Sequence, residues 1–291
     1  MPDLVEPVVA WFAREGRPLP WRDPACTPWA ILVSEVMLQQ TPVARVIGPW
    51  TEWVRRWPTP GALAAAPAAD VLRAWGRLGY PRRALRLREA GAGIVGSFDG
   101  RVPDQEENLR SLPGIGSYTA AAVAAFAYGQ RTVVLDTNVR RVLARAVGGD
   151  ALAAPSPTAG ERARAESLLP AVAPDSVRWN VAVMELGALV CRARSPRCDG
   201  CPLAGWCAWQ AAGRPADSYA PRRRSQAWEG TDRQVRGQIM AALRSADDGA
   251  IPRADALAIA PGRLDQALCA LESLMADGLA VESDGTVHLP R

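Results

Sequence analysis

An all-α fold carrying a small mixed unit at its C-terminus is what the 291-residue sequence predicts, on three observations. Apolar residues recur at helical spacing through residues 4–13, 28–40, 43–57, 68–75, 82–95, 106–111, 117–127, 137–147, 161–170 and 178–190. No stretch shows sustained two-residue alternation before residue 279. Beyond the last of four clustered cysteines, residues 210–230 lose periodicity, gain Pro, Arg and Ser and read as a linker to a separate helical pattern.

The predicted helices are separated by short joins: Pro58-Thr59-Pro60-Gly61, Pro113-Gly114-Ile115-Gly116 and Gly148-Gly149. Residues 150–160 read as a surface loop. In residues 231–291, helices are expected at about Thr231–Ser245, Arg253–Ile259 and Arg263–Asp277. They precede two short strands around the turn signal Ser283-Asp284-Gly285. Three helices and a terminal hairpin suggest a winged-helix-like unit.

Composition is that of a globular protein, with 48% apolar and 22% charged residues, and excludes disordered and fibrous classes. No apolar run has the roughly 18 residues a membrane span needs, and Asp3 and Glu6 open the chain without a secretory layout, so a cytoplasmic location is expected. A net charge of +4 is compatible with a polyanionic partner. Arg73, Arg77, Arg82, Arg83, Arg86 and Arg88 make one basic stretch, and Arg140, Arg141 and Arg145 another. Six cysteines in an intracellular chain argue for metal or redox use of those that cluster, leaving Cys26 and Cys269 apart.

The cluster is Cys191, Cys198, Cys201 and Cys207, spaced C-x6-C-x2-C-x5-C. Four thiolates suit zinc or an iron–sulfur centre. Zinc sites more often pair two C-x2-C knuckles and only one is present, so the spacing favours a cubane cluster, with structural zinc as the alternative. Arg192, Arg194 and Arg197 offset the charge of such an anionic centre.

Leu112-Pro113-Gly114-Ile115-Gly116 precedes an Ala-rich helix. Such a turn exposes backbone N–H groups able to hold a phosphate without reading sequence, or simply joins two packed helices. Asp136 follows the apolar strip 132–135 at a helix start, where it is either a plain N-cap or a carboxylate with chemical work.

Taken together these pieces resemble the helix–hairpin–helix DNA glycosylase superfamily, which includes endonuclease III, and within it the MutY adenine glycosylases. The resemblance spans residues 11–209. It rests on Leu19-Pro20-Trp21-Arg22, SEVMLQQTPV at 34–43, LGY at 78–80, LPGIGSYTA at 112–120, LDTNVRRVLAR at 135–145, MELGALVC at 184–191 and the cysteine spacing. It implies one [4Fe-4S] cluster and duplex DNA bearing adenine opposite 8-oxoguanine or guanine as partner. It also implies an N-terminal segment (1–27) packing with a cluster domain (135–209) and a six-helix module containing the hairpin (28–134), which the linker (210–230) and the winged-helix-like unit (231–291) follow. Monomeric action in the nucleoid is expected.

The same resemblance assigns roles. Glu35 matches the general acid and Asp136 the catalytic aspartate. Trp21, Arg22 and Leu38 match pocket positions around a flipped adenine, Asn138 lies near the sugar and Glu185 matches a base-contacting carboxylate. A structural hydrogen-bond acceptor is the other reading of Glu185. Gln40 and Tyr80 match the probe and wedge beside the opposing base. Tyr118 stands where bifunctional relatives carry a Schiff-base lysine, which implies monofunctional hydrolysis. Pro42 and Pro81 depart from the common pattern next to the expected lesion strand, and the tail is too short for the Nudix-like domain of many members, resembling the short tails of actinobacterial ones. A thymine or uracil mismatch glycosylase and a non-catalytic DNA-binding protein are the competing readings. Glu35 argues for a purine, because a pyrimidine offers no N7 to protonate.

Overall fold

The computed structural model describes residues 3–222 and 228–291, so part of the expected linker, residues 223–227, lies outside the described residues. In chain order the helices are α1 (Val5–Glu15), α2 (Pro28–Leu38), α3 (Val43–Arg56), α4 (Pro60–Ala64), α5 (Ala68–Trp75), α6 (Arg82–Ser97), α7 (Glu106–Arg110), α8 (Ser117–Tyr128), α9 (Thr137–Leu143), α10 (Ala159–Leu168), α11 (Ala173–Leu189), α12 (Ala208–Ala211), α13 (Asp232–Ser245), α14 (Arg253–Ala258) and α15 (Leu264–Ala276). Strands β1 (Ala250–Pro252), β2 (Val281–Ser283) and β3 (Thr286–His288) occur only in the tail among the described residues. None of the described helices is long and apolar enough to cross a membrane.

The chain forms two compact units, Met1–Cys26 with Asp104–Glu107 and Gly116–Arg224, and Thr27–Pro103 with Asn108–Ile115 and Ser225–Arg291. In the first, α1 buries Val8 and Trp11 in a core shared with Val139, Val142 and Leu143 of α9 and Trp179, Val183 and Leu186 of α11. Pro174 in the first turn starts α11 five residues before the expected 178, since proline is tolerated where the N–H has no helical partner. Thr158 and Glu161 form a reciprocal cap that starts α10.

In the second unit α2 is buried on nearly every side from Trp29 to Met37, as an all-round apolar helix must be. Thr27 caps it by accepting from the Ala30 N–H at 3.2 Å. Indoles pack beside it: Trp53 meets Trp57 and Trp75 edge-on at 4.7 and 5.5 Å, while Trp29 Nε1 donates to the Trp57 carbonyl. The expected join at 58–61 is instead a helix start. Thr59 accepts from the Ala62 N–H, and Pro60, preset to helical φ, begins α4. The expected helix 137–147 also divides, because α9 stops at Leu143 and continues as a π-type turn through Gly148.

In the tail, Thr231 caps α13, and the three strands form an antiparallel sheet in the order β1-β3-β2. Val287 pairs with Ile251 on one side and Glu282 on the other. Asp284 and Gly285, at φ 49° and 71°, give the left-handed pair that a tight two-residue hairpin needs. The three helices and hairpin match expectation. Strand β1 does not appear in the sequence reading, being three residues long and ending in proline.

Candidate active site

Asp136 sits at the start of α9, where the polypeptide turns from extended to helical backbone. One carboxylate oxygen accepts from the Val139 N–H at 2.6 Å and the other from Asn138 Nδ2 at 2.7 Å. Burial pushes this carboxyl above the usual aspartate range, and the hydrogen bonds from Val139 and Asn138 and the charge of Arg141 oppose it. Arg141 donates to Asn138 Oδ1 and the Gly187 carbonyl, both at 2.7 Å, and through Nε to the Cys191 carbonyl at 2.6 Å. A β-carbon at position 187 would lie 2.6 Å from Asn138 Cβ, so glycine is what lets α11 approach the start of α9 this closely. Asp136, Asn138 and Arg141 thus form one hydrogen-bonded chain ending at the first cysteine of the cluster.

Elsewhere in the same unit, Glu185 is buried and clamped by two guanidiniums. Arg17 donates to it through Nε at 2.6 Å and Nη2 at 2.9 Å, and Arg22 through Nη2 at 2.9 Å. Burial alone would push the Glu185 carboxyl up, but the bonds from Arg17 and Arg22 outweigh it and hold the group at about 2. Glu185 is therefore an acceptor fixed by arginines, one of which, Arg17, lies outside every motif of the sequence. Trp21 is buried in the short turn Pro20–Arg22, and Tyr118 packs half-buried against Ala121, Ala122, Ala125 and Val134.

In the second unit Glu35 is 4% exposed, in the middle of apolar α2. Leu38 ends that helix half-buried. Gln40 and Tyr80 follow α2 and α5, both exposed and both left-handed, at φ 56° and 47°. Non-glycine residues seldom take that conformation and need surrounding structure to hold it. Arg83 supplies it. Nη1 donates to the carbonyls of Val36, Met37 and Gln39, and Nη2 to Thr41 Oγ1 and the carbonyls of Leu78 and Gly79. One guanidinium therefore ties together the turns bearing the two expected probing residues. Burial lowers its pKa to about 10. In the sequence alone Arg83 is one arginine of a basic stretch, with nothing to mark this role.

The hairpin turn runs from buried Leu112 through exposed Pro113 and Gly114 to buried Ile115, and Gly116 caps α8. Gly114 has φ 80°, and a side chain there would press on Arg86, 3.1 Å from its Cβ. The basic stretches are less free for DNA than the sequence suggests. Arg88 donates to the Ala66 carbonyl, Arg73 pairs with Asp70, and Arg140 pairs with Glu161 at 2.8 Å with both side chains largely buried.

Cys191, Cys198, Cys201 and Cys207 form no disulfide and line one cavity of about 260 Å³, solvent mouth included, together with Arg145 and Trp209. Burial pushes the Cys201 thiol up to about 11, the Leu203 N–H opposes this, and the other three sulfurs add to it. Arg145 donates to Cys191 Sγ at 3.4 Å and stacks 4.6 Å from the Trp209 ring. Among the described residues no three such side chains are already arranged about a single metal ion. Four soft donors around a shared cavity, with a guanidinium offsetting their negative charge, fit a polynuclear thiolate-held centre.

Residues 33–167 match the HhH-GPD superfamily of base excision DNA repair proteins, and residues 191–207 match the iron–sulfur binding domain of endonuclease III. The cysteine region is therefore an iron–sulfur binding region. An adenine DNA glycosylase of Mycobacterium tuberculosis is 54% identical over 286 residues, covering 97% of this chain and 92% of the relative. Another, from Mycolicibacterium smegmatis, is 49% identical over 97% of this chain and 94% of the relative. A solved thermostable thymine-DNA glycosylase shares the fold over 72% of this chain and 95% of its own, with a TM-score of 0.65 at 24% identity. By extent and identity of match, the chain belongs to the adenine DNA glycosylase family of the HhH-GPD superfamily.

Proposed function

We propose that this protein removes adenine mispaired with 8-oxoguanine or guanine in duplex DNA by hydrolysis, without strand cleavage, acting as a monomer in the cytoplasm at the nucleoid. The observation that carries the reading is Glu35, a carboxyl group buried among apolar side chains of α2 within a chain of this family. A carboxyl placed among apolar side chains is of the kind that serves as a general acid once a base is brought against it.

A paired base cannot reach a buried acid, so adenine must leave the stack, with Tyr80 and Gln40 filling and probing the opened step. Leu38, Trp21 and Arg22 are assigned to the flipped adenine by the family match, and Glu185, with Arg17, fixes the Arg22 guanidinium. Glu35 donates its proton to adenine N7. The C1′–N9 bond then breaks with its electron pair going to the base, which leaves as neutral adenine. Positive charge developing on the sugar is matched by ionised Asp136, held in place by Val139 N–H and Asn138. Water adds to C1′ and its proton returns to Glu35, leaving an abasic site. Tyr118 has no amine to form a Schiff base. Cys191, Cys198, Cys201 and Cys207 hold the [4Fe-4S] cluster, whose part is structural. The hairpin turn 112–116 offers backbone N–H groups to a phosphate.

Single-turnover base release from a duplex with adenine opposite 8-oxoguanine tests this. Glu35→Gln should slow release by about 10²–10⁴-fold, the range for losing a general acid, with folding intact. Faster release of thymine from a thymine–guanine duplex would replace the reading with a pyrimidine-mismatch glycosylase. Tight binding without release of either base would make the protein a non-catalytic DNA binder.

A further inference from the structure

Tyr80 keeps 42% of its surface exposed although two guanidiniums flank its ring. Arg83, close by in sequence, lies 5.5 Å from the ring centroid, and Arg233, on the first turn of α13 in the tail, lies 4.6 Å away. Arg233 also stands 5.4 Å from the ring of Trp228, which is 52% exposed. Among the described residues, Arg233 touches these two rings and no carboxylate. The tail is seated at this place by a second set of contacts. Asp277, which follows α15, accepts from Arg82 at the start of α6 at 2.9 Å and from Arg236 of α13 at 2.5 Å. Arg82 is two residues from Tyr80.

An exposed arginine on a helix ordinarily samples many rotamers, and holding it over aromatic faces requires planar stacking that lysine does not reproduce. The ring it restrains belongs to a residue in left-handed backbone, whose side-chain direction is otherwise set by its turn and by Arg83, the more distant of the two guanidiniums. We propose that Arg233 is a positioning residue for mispair recognition. With Trp228 beside it, it fixes the orientation in which the Tyr80 ring meets the duplex, so the tail is a working part of the recognition surface. The proposal rests on the reading of Tyr80 as the wedge. A prepositioned ring contributes its stacking to the duplex without first losing rotational freedom, and that contribution depends on which pair is being opened.

The test uses the full-length, cluster-loaded protein and single-turnover adenine release from two duplexes, adenine opposite 8-oxoguanine and adenine opposite guanine. Wild type, Arg233→Ala, Arg233→Lys, Tyr80→Ala and the Tyr80→Ala/Arg233→Ala pair are compared, with thermal midpoint and cluster absorbance as folding controls. Arg233→Ala should leave both controls unchanged and reduce the ratio of the two rates about two- to fivefold, the size of an exposed cation–π contact. Arg233→Lys should recover only part of that. In the Tyr80→Ala background the Arg233 substitution should add nothing, which is the signature of action through Tyr80. An unchanged ratio in Arg233→Ala alongside a lowered ratio in Tyr80→Ala overturns the positioning role and leaves the wedge standing. An equal slowing of both duplexes, or additive effects in the pair, also overturns it. An unchanged ratio in Tyr80→Ala removes the wedge reading itself, and the proposal with it.

Discussion

Asp136 serves its helix and the proposed reaction with the same two oxygens. As an N-cap it accepts from Val139, and as a candidate counter-ion for a cationic sugar it must be ionised. Its carboxyl is pushed above the ordinary aspartate range by burial, so activity should fall, as pH is lowered, at a higher pH than a solvated aspartate would give. Asn138 opposes the burial effect, because its amide donates to the ionised form. Asn138→Ala should therefore move the acid limb of the pH–rate profile further upward. A profile that keeps its acid limb while only the plateau falls would mean that Asn138 acts on geometry instead.

The approach of α11 to α9 turns on position 187. Gly187→Ala places a methyl group where Asn138 already stands, and relief requires the start of α9 to shift. A stability loss of about 1–3 kcal/mol is expected, as for other overpacked contacts. Base release should fall more than tenfold, out of proportion to that loss, because a displacement near 1 Å at a catalytic group is costly. Denaturant unfolding measured beside single-turnover rates checks both. This contact also marks where the sequence stops being legible. LDTNVRRV announces a helix start with Asp136 as its cap, and the cysteine spacing announces a shared centre. MELGALVC, however, shows Gly187 only as a weak helix former, since close approach is a property of two segments far apart in sequence. Arg83 is hidden for a similar reason. Apart from Thr41 Oγ1, its acceptors are backbone carbonyls, which every residue carries, and neither Gln40 nor Tyr80 signals left-handed backbone as a glycine would. The hairpin of the tail is visible through Asp284-Gly285, while β1 has too few residues to show a period.

The two units call for different experiments. The cysteine cavity, Arg145, Trp209 and α12 all belong to the first, so removing iron and sulfide should loosen that unit locally. Hydrogen exchange is expected to rise through residues 190–209 and around Arg145 and to stay unchanged in α2, α3 and α6 of the second unit. Uniformly raised exchange would instead make the cluster a determinant of the entire fold. In the second unit, Asp277 neutralises only one of the two guanidiniums it joins, and all three side chains are at least partly open to solvent. Ion pairs of that kind are screened as ionic strength rises, on the same scale that displaces proteins from DNA phosphates. A salt titration of DNA affinity would then report two processes at once, release of counter-ions from the nucleic acid and loosening of the tail. The apparent number of phosphate contacts would exceed the number made, and would drop in Asp277→Asn even though residue 277 carries no positive charge.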